Sequence, residues 1–226
     1  MKNAIILFSG GIDSTTCLEI AKEQGFACYA LSFAYGQKHT VEVERAKKIA
    51  SLAGVVEHRV LNLPIGEYGG SSLTDASITV PDHQDVSGIP NTYVPARNTI
   101  FLSFALSWGE VVCAYDIFIG ANCIDYSQYP DCRPDYLQAF ETLANLATKV
   151  GREENQGFKV HAPLLHLNKA EIIREGNRLG IDYGQTISCY RADQNGHACG
   201  TCDSCTYRKK GFAEAGMPDP TPYFTR

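Results

Sequence analysis

The chain has 226 residues, 44 % of them apolar and 20 % charged, with a formal net charge of −5; that is enough for one sizeable core, in one domain with an appendage. The acidic balance argues against a broad nucleic-acid surface, and the longest apolar stretch, 100–114, is broken by Ser103, Ser107, Gly109 and Glu110, which excludes a bilayer span. The first apolar run ends after five residues at Ser9-Gly10 and the chain carries nine cysteines, so no secretory leader and a reducing, cytoplasmic setting are expected, where clustered cysteines mean metal or redox chemistry.

In chain order, Ala4-Ile5-Ile6-Leu7-Phe8 is a continuous apolar run and reads as a buried parallel strand. It feeds Ser9-Gly10-Gly11-Ile12-Asp13-Ser14-Thr15-Thr16, and 14–24 reads as a helix carrying Leu18, Ile20 and Ala21. A strand, a glycine turn and a helix start together make an anion site, because backbone N–H groups and the positive end of the helix dipole converge there. A second strand is expected over 27–33 and a third over 55–61, with Val43, Ala46, Ile49, Ala50 and Ala53 marking a helix face between them. Residues 64–96 hold Pro64, Gly66, Gly69, Gly70, Pro81, Gly88, Pro90 and Pro95 and read either as a mobile surface excursion or as a lid. A buried core helix is expected over 100–114, and a fourth strand at Ile117-Phe118-Ile119 before Gly120. Tyr136, Phe140, Leu143 and Ala147 form a helical stripe. A short fifth strand is expected over 159–163, then a capping box at Asn168-Lys169-Ala170-Glu171 opening a helix that Gly180 closes. This alternation predicts an α/β fold, a doubly wound, Rossmann-like parallel sheet with its ligand at the carboxyl ends of the strands. The expected division is an α/β domain over 1–180 and a cysteine-rich helical segment over 181–226.

The glycine turn lacks the Lys of G-x-x-x-x-G-K-[ST] and is not G-x-G-x-x-G. What remains, S-G-G-x-D-S, resembles the pyrophosphate loop (PP-loop) of ATP-pyrophosphatases, which cleave ATP between the α and β phosphates. Phe8, Ser9, Gly10, Gly11, Ile12, Asp13, Ser14, Thr15, Thr16, Cys17 and Leu18 make up the expected ATP-binding segment. The two glycines admit the phosphates and the hydroxyls of Ser9, Ser14 and Thr15 donate to them. Asp13 suits Mg²⁺ ligation or turn capping. The plain alternative is a ligand-free strand–helix turn with an Asp/Ser cap.

Four cysteines, Cys189, Cys199, Cys202 and Cys205, follow C-x9-C-x2-C-x2-C. Four thiolates favour Zn²⁺ in a closed, structural site, with His197 as a competing ligand. The alternative is a C-x-x-C redox pair, which does not call for two further cysteines. The run Arg208-Lys209-Lys210 reads as a solvated helix face rather than a nucleic-acid contact.

Taken with both motifs, the blocks FSGGIDSTTC at 8–17, YGQKH at 35–39, VPARNTIFLS at 94–103, DYSQYPDCRPDY at 125–136, PLLHLNKAEI at 163–172 and SCYRADQNGHACGTCDSC at 188–205 resemble the QueC family of 7-cyano-7-deazaguanine synthases, within the PP-loop superfamily. Gln128 departs from the Gly common there. The resemblance implies an ATP-dependent ligase that turns 7-carboxy-7-deazaguanine and free ammonia into the nitrile, through an adenylated carboxylate and then an adenylated amide. It implies ATP, Mg²⁺ and Zn²⁺ as cofactors, a homodimer, and neither nucleic acid nor membrane as partner; no glutaminase domain is expected. Within its blocks, Asp13, Arg97 and Lys169 are the candidate catalytic residues, with Arg97 and Lys169 neutralising phosphate or carboxylate charge. Asp125, Tyr129, Asp131 and Arg133 are candidates for the deazaguanine pocket, Asp131 by accepting from a guanine-like amino edge. Cys132 is expected to pack, and His39 either starts a helix or moves protons. The competing functions are a PP-loop tRNA-thiolating enzyme, which needs a catalytic persulfide, and a nucleotide-binding module without catalysis.

Overall fold

Alternating side chains on the first strand set the layering. In the computed structural model, which describes residues 1–37, 41–84, 88–124, 129–153 and 156–224, β1 (Lys2–Leu7) sends Ala4 and Ile6 into one apolar cluster and Ile5 and Leu7 into another. Both faces of the strand are therefore covered, as its unbroken apolar run demands. After α1 (Ile12–Glu23), β2 (Phe26–Ala34), α2 (Val41–Ala53) and β3 (Glu57–Asn62) come α3 (Arg97–Val111), β4 (Asp116–Phe118), α4 (Pro134–Ala147), the single turn α5 (Lys149–Arg152), β5 (Lys159–His161), α6 (Lys169–Arg178) and α7 (Asp203–Ala215). The five strands form one sheet in the order β3-β2-β1-β4-β5, and each neighbouring pair is parallel.

One face of the sheet buries α1, α2, α6 and α7 through Leu18, Ile49, Ile172, Ile173 and Phe212 around Ala4, Ile6 and Phe118. The other buries α3 and α4 through Leu102, Leu106, Trp108, Leu137 and Phe140 around Ile5, Leu7 and Ile117. The chain leaves β1 toward β2 on one side, while β4 occupies the other. The carboxyl end of β1 is thus the switch point at which ligands enter doubly wound sheets, and Ser9-Gly10-Gly11 follows it directly.

Several expectations change in detail. The inward stripe of α4 is Leu137, Phe140 and Ala144, one residue out of phase with Tyr136–Leu143–Ala147, and Leu143 is 52 % exposed. α3 is buried on one side only, since Phe104 and Val111 face outward. The described part of 64–96 is no loose excursion. Ile65, Leu73, Val80 and Val94 pack with Ile187, Ala192, Ala198 and the four clustered cysteines in a third core. Ser71 and Ser72 are fully buried, the Ser72 N–H reaches Asn91 O at 2.8 Å, and the His83 N–H reaches Thr201 O at 2.8 Å. The segment is a packed cover over the cysteine cluster. The basic run is solvated in part only: Arg208 is 3 % exposed and donates to Thr186 Oγ1, Tyr183 O and Asp219 Oδ1. Lys209 donates to Gly200 O across the ring of Tyr223, and both Lys209 and Lys210 are exposed.

Candidate active site

A cavity of about 270 Å³ opens at the switch point, lined by Ser9, Gly11, Asp13 and Ser14 from the glycine turn and by Gly120 and Ala121 after β4. Two glycines set its depth. Gly10 has φ +79°, and a Cβ there would stand 3.0 Å from the backbone of Ala46 in α2. At Gly120 a Cβ would come within 3.0 Å of the Asp13 backbone. Without side chains at either place, β4 and α2 close directly onto the turn.

Ser14 organises the turn. Its Oγ accepts from the backbone N–H of Ser9 at 3.2 Å and of Gly10 at 3.1 Å, and lies 3.1 Å from Ser9 Oγ. The Gly11 N–H points to Ser9 Oγ at 3.4 Å and the Ile12 N–H to Ser188 Oγ at 3.5 Å. These donors converge on hydroxyl oxygens at the N-terminus of α1, an arrangement that suits phosphate oxygens equally well. Thr15 Oγ1 is buried and finds no partner among the described residues.

Asp13 and Lys169, far apart in sequence, meet here: Nζ lies 2.6 Å from Asp13 Oδ1. The capping box, complete in both directions, fixes the start of α6, and Lys169 therefore leaves its first turn at a defined angle. Its stem passes Gly211 of α7, where a Cβ would sit 2.4 Å from Lys169 Cγ. Asn122 ties β4 to this region, with Oδ1 accepting from the Ile124 N–H and Nδ2 donating to the carbonyls of Leu164 and Leu167.

Arg97 enters from α3. Ala96 before it is left-handed, at φ 54°, and its N–H is held by Tyr93 Oη at 3.0 Å. Asp131 is 6 % exposed. Its Oδ2 accepts the Asn98 N–H and its carbonyl accepts Asn98 Nδ2, both at 3.0 Å. Asp131 thus caps the N-terminus of α3, one residue beyond Arg97. Arg97 Nη1 reaches Tyr35 Oη at 3.5 Å. Tyr129 lines the cavity with its hydroxyl on Thr92 at 2.8 Å.

The turn residues, Arg97, Lys169 and Tyr129 therefore come together. Other candidates do not. Thr16 hydrogen-bonds Tyr183 Oη at 2.7 Å, and Cys17 and Leu18 lie wholly in the core, so these three side chains hold α1 in place. Arg133 is exposed and pairs with Asp135 at 3.4 Å, away from the cavity lining. Asp125, Gln128 and His39 lie outside the described residues. Cys132 lines the cavity, where burial raises its thiol to about 11. Sequence reasoning missed Glu42, Tyr35, Phe101, Asn122, Ser188, Tyr190 and Arg208, all in the lining. The YGQKH block was the signal nearest to Glu42. Burial raises the Glu42 carboxyl to about 7, against the pull of Arg97.

The four cysteines form a separate centre. Their Sγ atoms all lie within 4.8 Å of one another, and Cys199 and Cys205 are 3.9 Å apart. Zinc–sulfur bonds of about 2.3 Å place tetrahedral sulfurs about 3.8 Å apart. Backbone N–H groups already address the sulfurs: Arg191 and Cys199 on Cys189, Thr201 and Cys202 on Cys199. Burial opposes ionisation of Cys199, yet those last two N–H groups and the Arg191 guanidinium hold it below the usual thiol value. All four thiols are free and buried, and the donor set fits a metal ion. His197 hydrogen-bonds Asp193 instead, at 2.9 Å.

Comparison with known proteins adds four findings. A family model described as queuosine biosynthesis protein QueC matches residues 3–216. A 7-cyano-7-deazaguanine synthase of Coxiella burnetii is 61 % identical over 226 residues, covering 100 % of both chains. One of Aromatoleum aromaticum is 58 % identical over 222 residues and covers 98 % of each. Among solved structures, a 4-thiouridine synthetase–RNA complex with bound ATP superposes with a TM-score of 0.53 at 20 % identity, over 98 % of this chain and 47 % of that one. That likeness concerns the fold.

Proposed function

The chain belongs to the QueC family, and on that premise we propose that it is an ATP-dependent ligase converting 7-carboxy-7-deazaguanine and ammonia to 7-cyano-7-deazaguanine, with AMP and pyrophosphate released twice per turnover. The observation that carries this reading is the union of Ser9–Ser14, Asp13–Lys169 and Arg97 around one cavity at the sheet's switch point. A carboxylate at neutral pH is a poor electrophile, and its adenylation supplies a leaving group. In this reading the turn binds the departing pyrophosphate, and Lys169 offsets charge near the α phosphate. Asp13 would hold Mg²⁺, which supplies charge neutralisation on ATP when bound. Arg97 orients the substrate carboxylate, while Tyr129, Tyr35 and Phe101 provide apolar ring surface for the deazaguanine. Cys189, Cys199, Cys202 and Cys205 would hold Zn²⁺ as a structural ion.

A tRNA-thiolating activity is not favoured. It needs a reactive thiolate in the cavity, and Cys132 is held protonated at neutral pH by burial. The acidic net charge of −5 supports small-molecule substrates rather than nucleic acid. No described helix is long and apolar enough to cross a membrane, and nine free cysteines fit a reducing cytoplasm. Val111, Phe104, Leu143 and Leu146 are exposed on α3 and α4, which suits a second copy of the chain as partner. The deciding assay supplies the carboxylic acid, ammonium, Mg·ATP and enzyme, then follows nitrile by mass spectrometry. Acid-dependent nitrile and pyrophosphate are expected; ATP binding without either would defeat the reading.

A further inference from the structure

The proposed chemistry leaves one task without a residue. In its last step the adenylated amide collapses: a base removes the remaining N–H proton, that electron pair becomes the third carbon–nitrogen bond, and the C–O pair departs with AMP. A proton acceptor must therefore face the substrate nitrogen, beside the phosphate turn but distinct from the groups that hold phosphate.

Glu42 stands in the first turn of α2, and with Val43 and Ala46 of that helix it lines the cavity. The closeness of α2 to the turn is fixed by Gly10, which has no room for a Cβ beneath Ala46. Glu42 thus enters the same space as Ser9 and Ser14, from the side that also holds Tyr35 and Arg97. Among the described residues, the charged and titratable groups that act on it are Arg97 from α3 and Tyr35 from the end of β2. The other ionisable groups of the lining are committed or unsuited. Asp13 is paired with Lys169 at 2.6 Å, and Arg208 with Asp219 at 3.0 Å. Cys132, Tyr35 and Tyr129 are all pushed upward by burial and stay protonated at neutral pH.

We propose that Glu42 is a further catalytic residue of this site, whose carboxylate takes the nitrogen-borne proton as the adenylated amide breaks down to the nitrile. This deepens the ligase reading above and rests on it. The residue suits the task, since burial raises its carboxyl to about 7, near the pH at which a general base works best. Arg97 keeps the ionised form accessible in spite of that burial. After AMP and nitrile leave, the carboxyl returns its proton to water.

The test starts from the intermediate, 7-carboxamido-7-deazaguanine, with Mg·ATP, so that ammonium's own titration does not enter the profile. For the unaltered enzyme, nitrile formation should rise with pH through about 7. Glu42→Gln should slow it by on the order of 10²–10⁴-fold and flatten the profile. In a single turnover the same variant should still release pyrophosphate, with adenylated amide accumulating. Glu42→Asp should recover part of the rate together with a pH limb, and it carries the test should the Gln variant fail to fold. Nitrile formation by Glu42→Gln at the unaltered rate, or with the limb retained, would overturn the proposal. So would an equal loss of pyrophosphate release, which would make Glu42 a binding group. If the unaltered enzyme makes pyrophosphate and nitrile from neither acid nor amide, the ligase reading itself fails and the proposal falls with it.

Discussion

Asp13 shows how one side chain acquires its role from a partner that the local sequence does not contain. In the turn alone it reads as a cap or a metal ligand; in the fold its Oδ1 meets Lys169 Nζ at 2.6 Å. Lys169 is 7 % exposed, and neither charge would be held there without the other. Asp13→Ala should abolish acid-dependent pyrophosphate release while leaving the far-ultraviolet circular dichroism unchanged. Lys169→Met should lower release by about 10²-fold, the order lost when a positioned charge-stabilising group is removed. Glu42 gives a pH prediction with the opposite sign to most carboxylates. Its folded value, about 7, lies above the ordinary carboxylate range, so the native state binds its proton more tightly than the unfolded chain does. That contribution to stability is complete below the unfolded value and is lost as pH rises through about 7. Glu42→Gln should therefore leave the thermal midpoint near that of the unaltered protein at pH 5 and raise it at pH 8. An equal shift at both pH values would count against the burial of this carboxyl. Asp131 carries a different lesson. Its carboxylate was expected at the substrate, and its Oδ2 instead accepts the Asn98 N–H at the N-terminus of α3.

Elements were legible where one face of a segment had to be buried. The five strands appear where the apolar runs place them, with ends shifted by a residue or two, and the capping box of α6 is complete in both directions. α4 went out of phase because Tyr136 and Leu143 are apolar by type but lie at the edge of the buried face, with Leu137 and Ala144 at its centre. No local pattern distinguishes the two stripes, since both have helical spacing. The segment 64–96 escaped for a stronger reason. The order of its described part comes from Ile65, Leu73, Val80 and Val94 packing on a cysteine cluster near the other end of the chain, and from Arg191 reaching back to Val80 O and Asp82. A metal at the cysteines would hold this cover as well as the C-terminal segment. Cys189→Ser should reduce bound zinc below one equivalent per chain and cost several kcal/mol of stability, on the order of the energy a structural zinc contributes. Limited proteolysis should then cut first within 64–96. Full zinc occupancy with an intact 64–96 would separate the metal from the cover.

At the scale of the whole molecule, the two clusters around β1 flank one short sheet, the third surrounds the cysteines, and the cavity is where all three approach one another. Leu7 and Phe33 reach it from the α3 face, Ala46 and Phe8 from the α1 face, and Leu73 and Ile187 from the third cluster. Outward from this centre, Val111 is 75 % exposed and Leu146 57 %, unusual for side chains of this size on neighbouring helices of one layer. If a second copy covers them, Val111→Glu with Leu146→Glu should halve the mass seen in sedimentation, with the fold kept; unchanged mass would place the interface elsewhere. By itself the sequence determined what depends on short-range pattern: the parallel α/β alternation, the glycine turn at the end of β1, the four-cysteine spacing and the start of α6. Those follow from periodicity, backbone geometry and capping within a few residues of each other. Only the tertiary structure decided which charged groups share the cavity. Lys169 reaching Asp13, Asp131 capping α3, Arg208 turned inward and Glu42 raised toward neutrality each depend on elements that are distant in the chain. The energy of a buried charge is set by what surrounds it in space, and linear spacing carries no record of that.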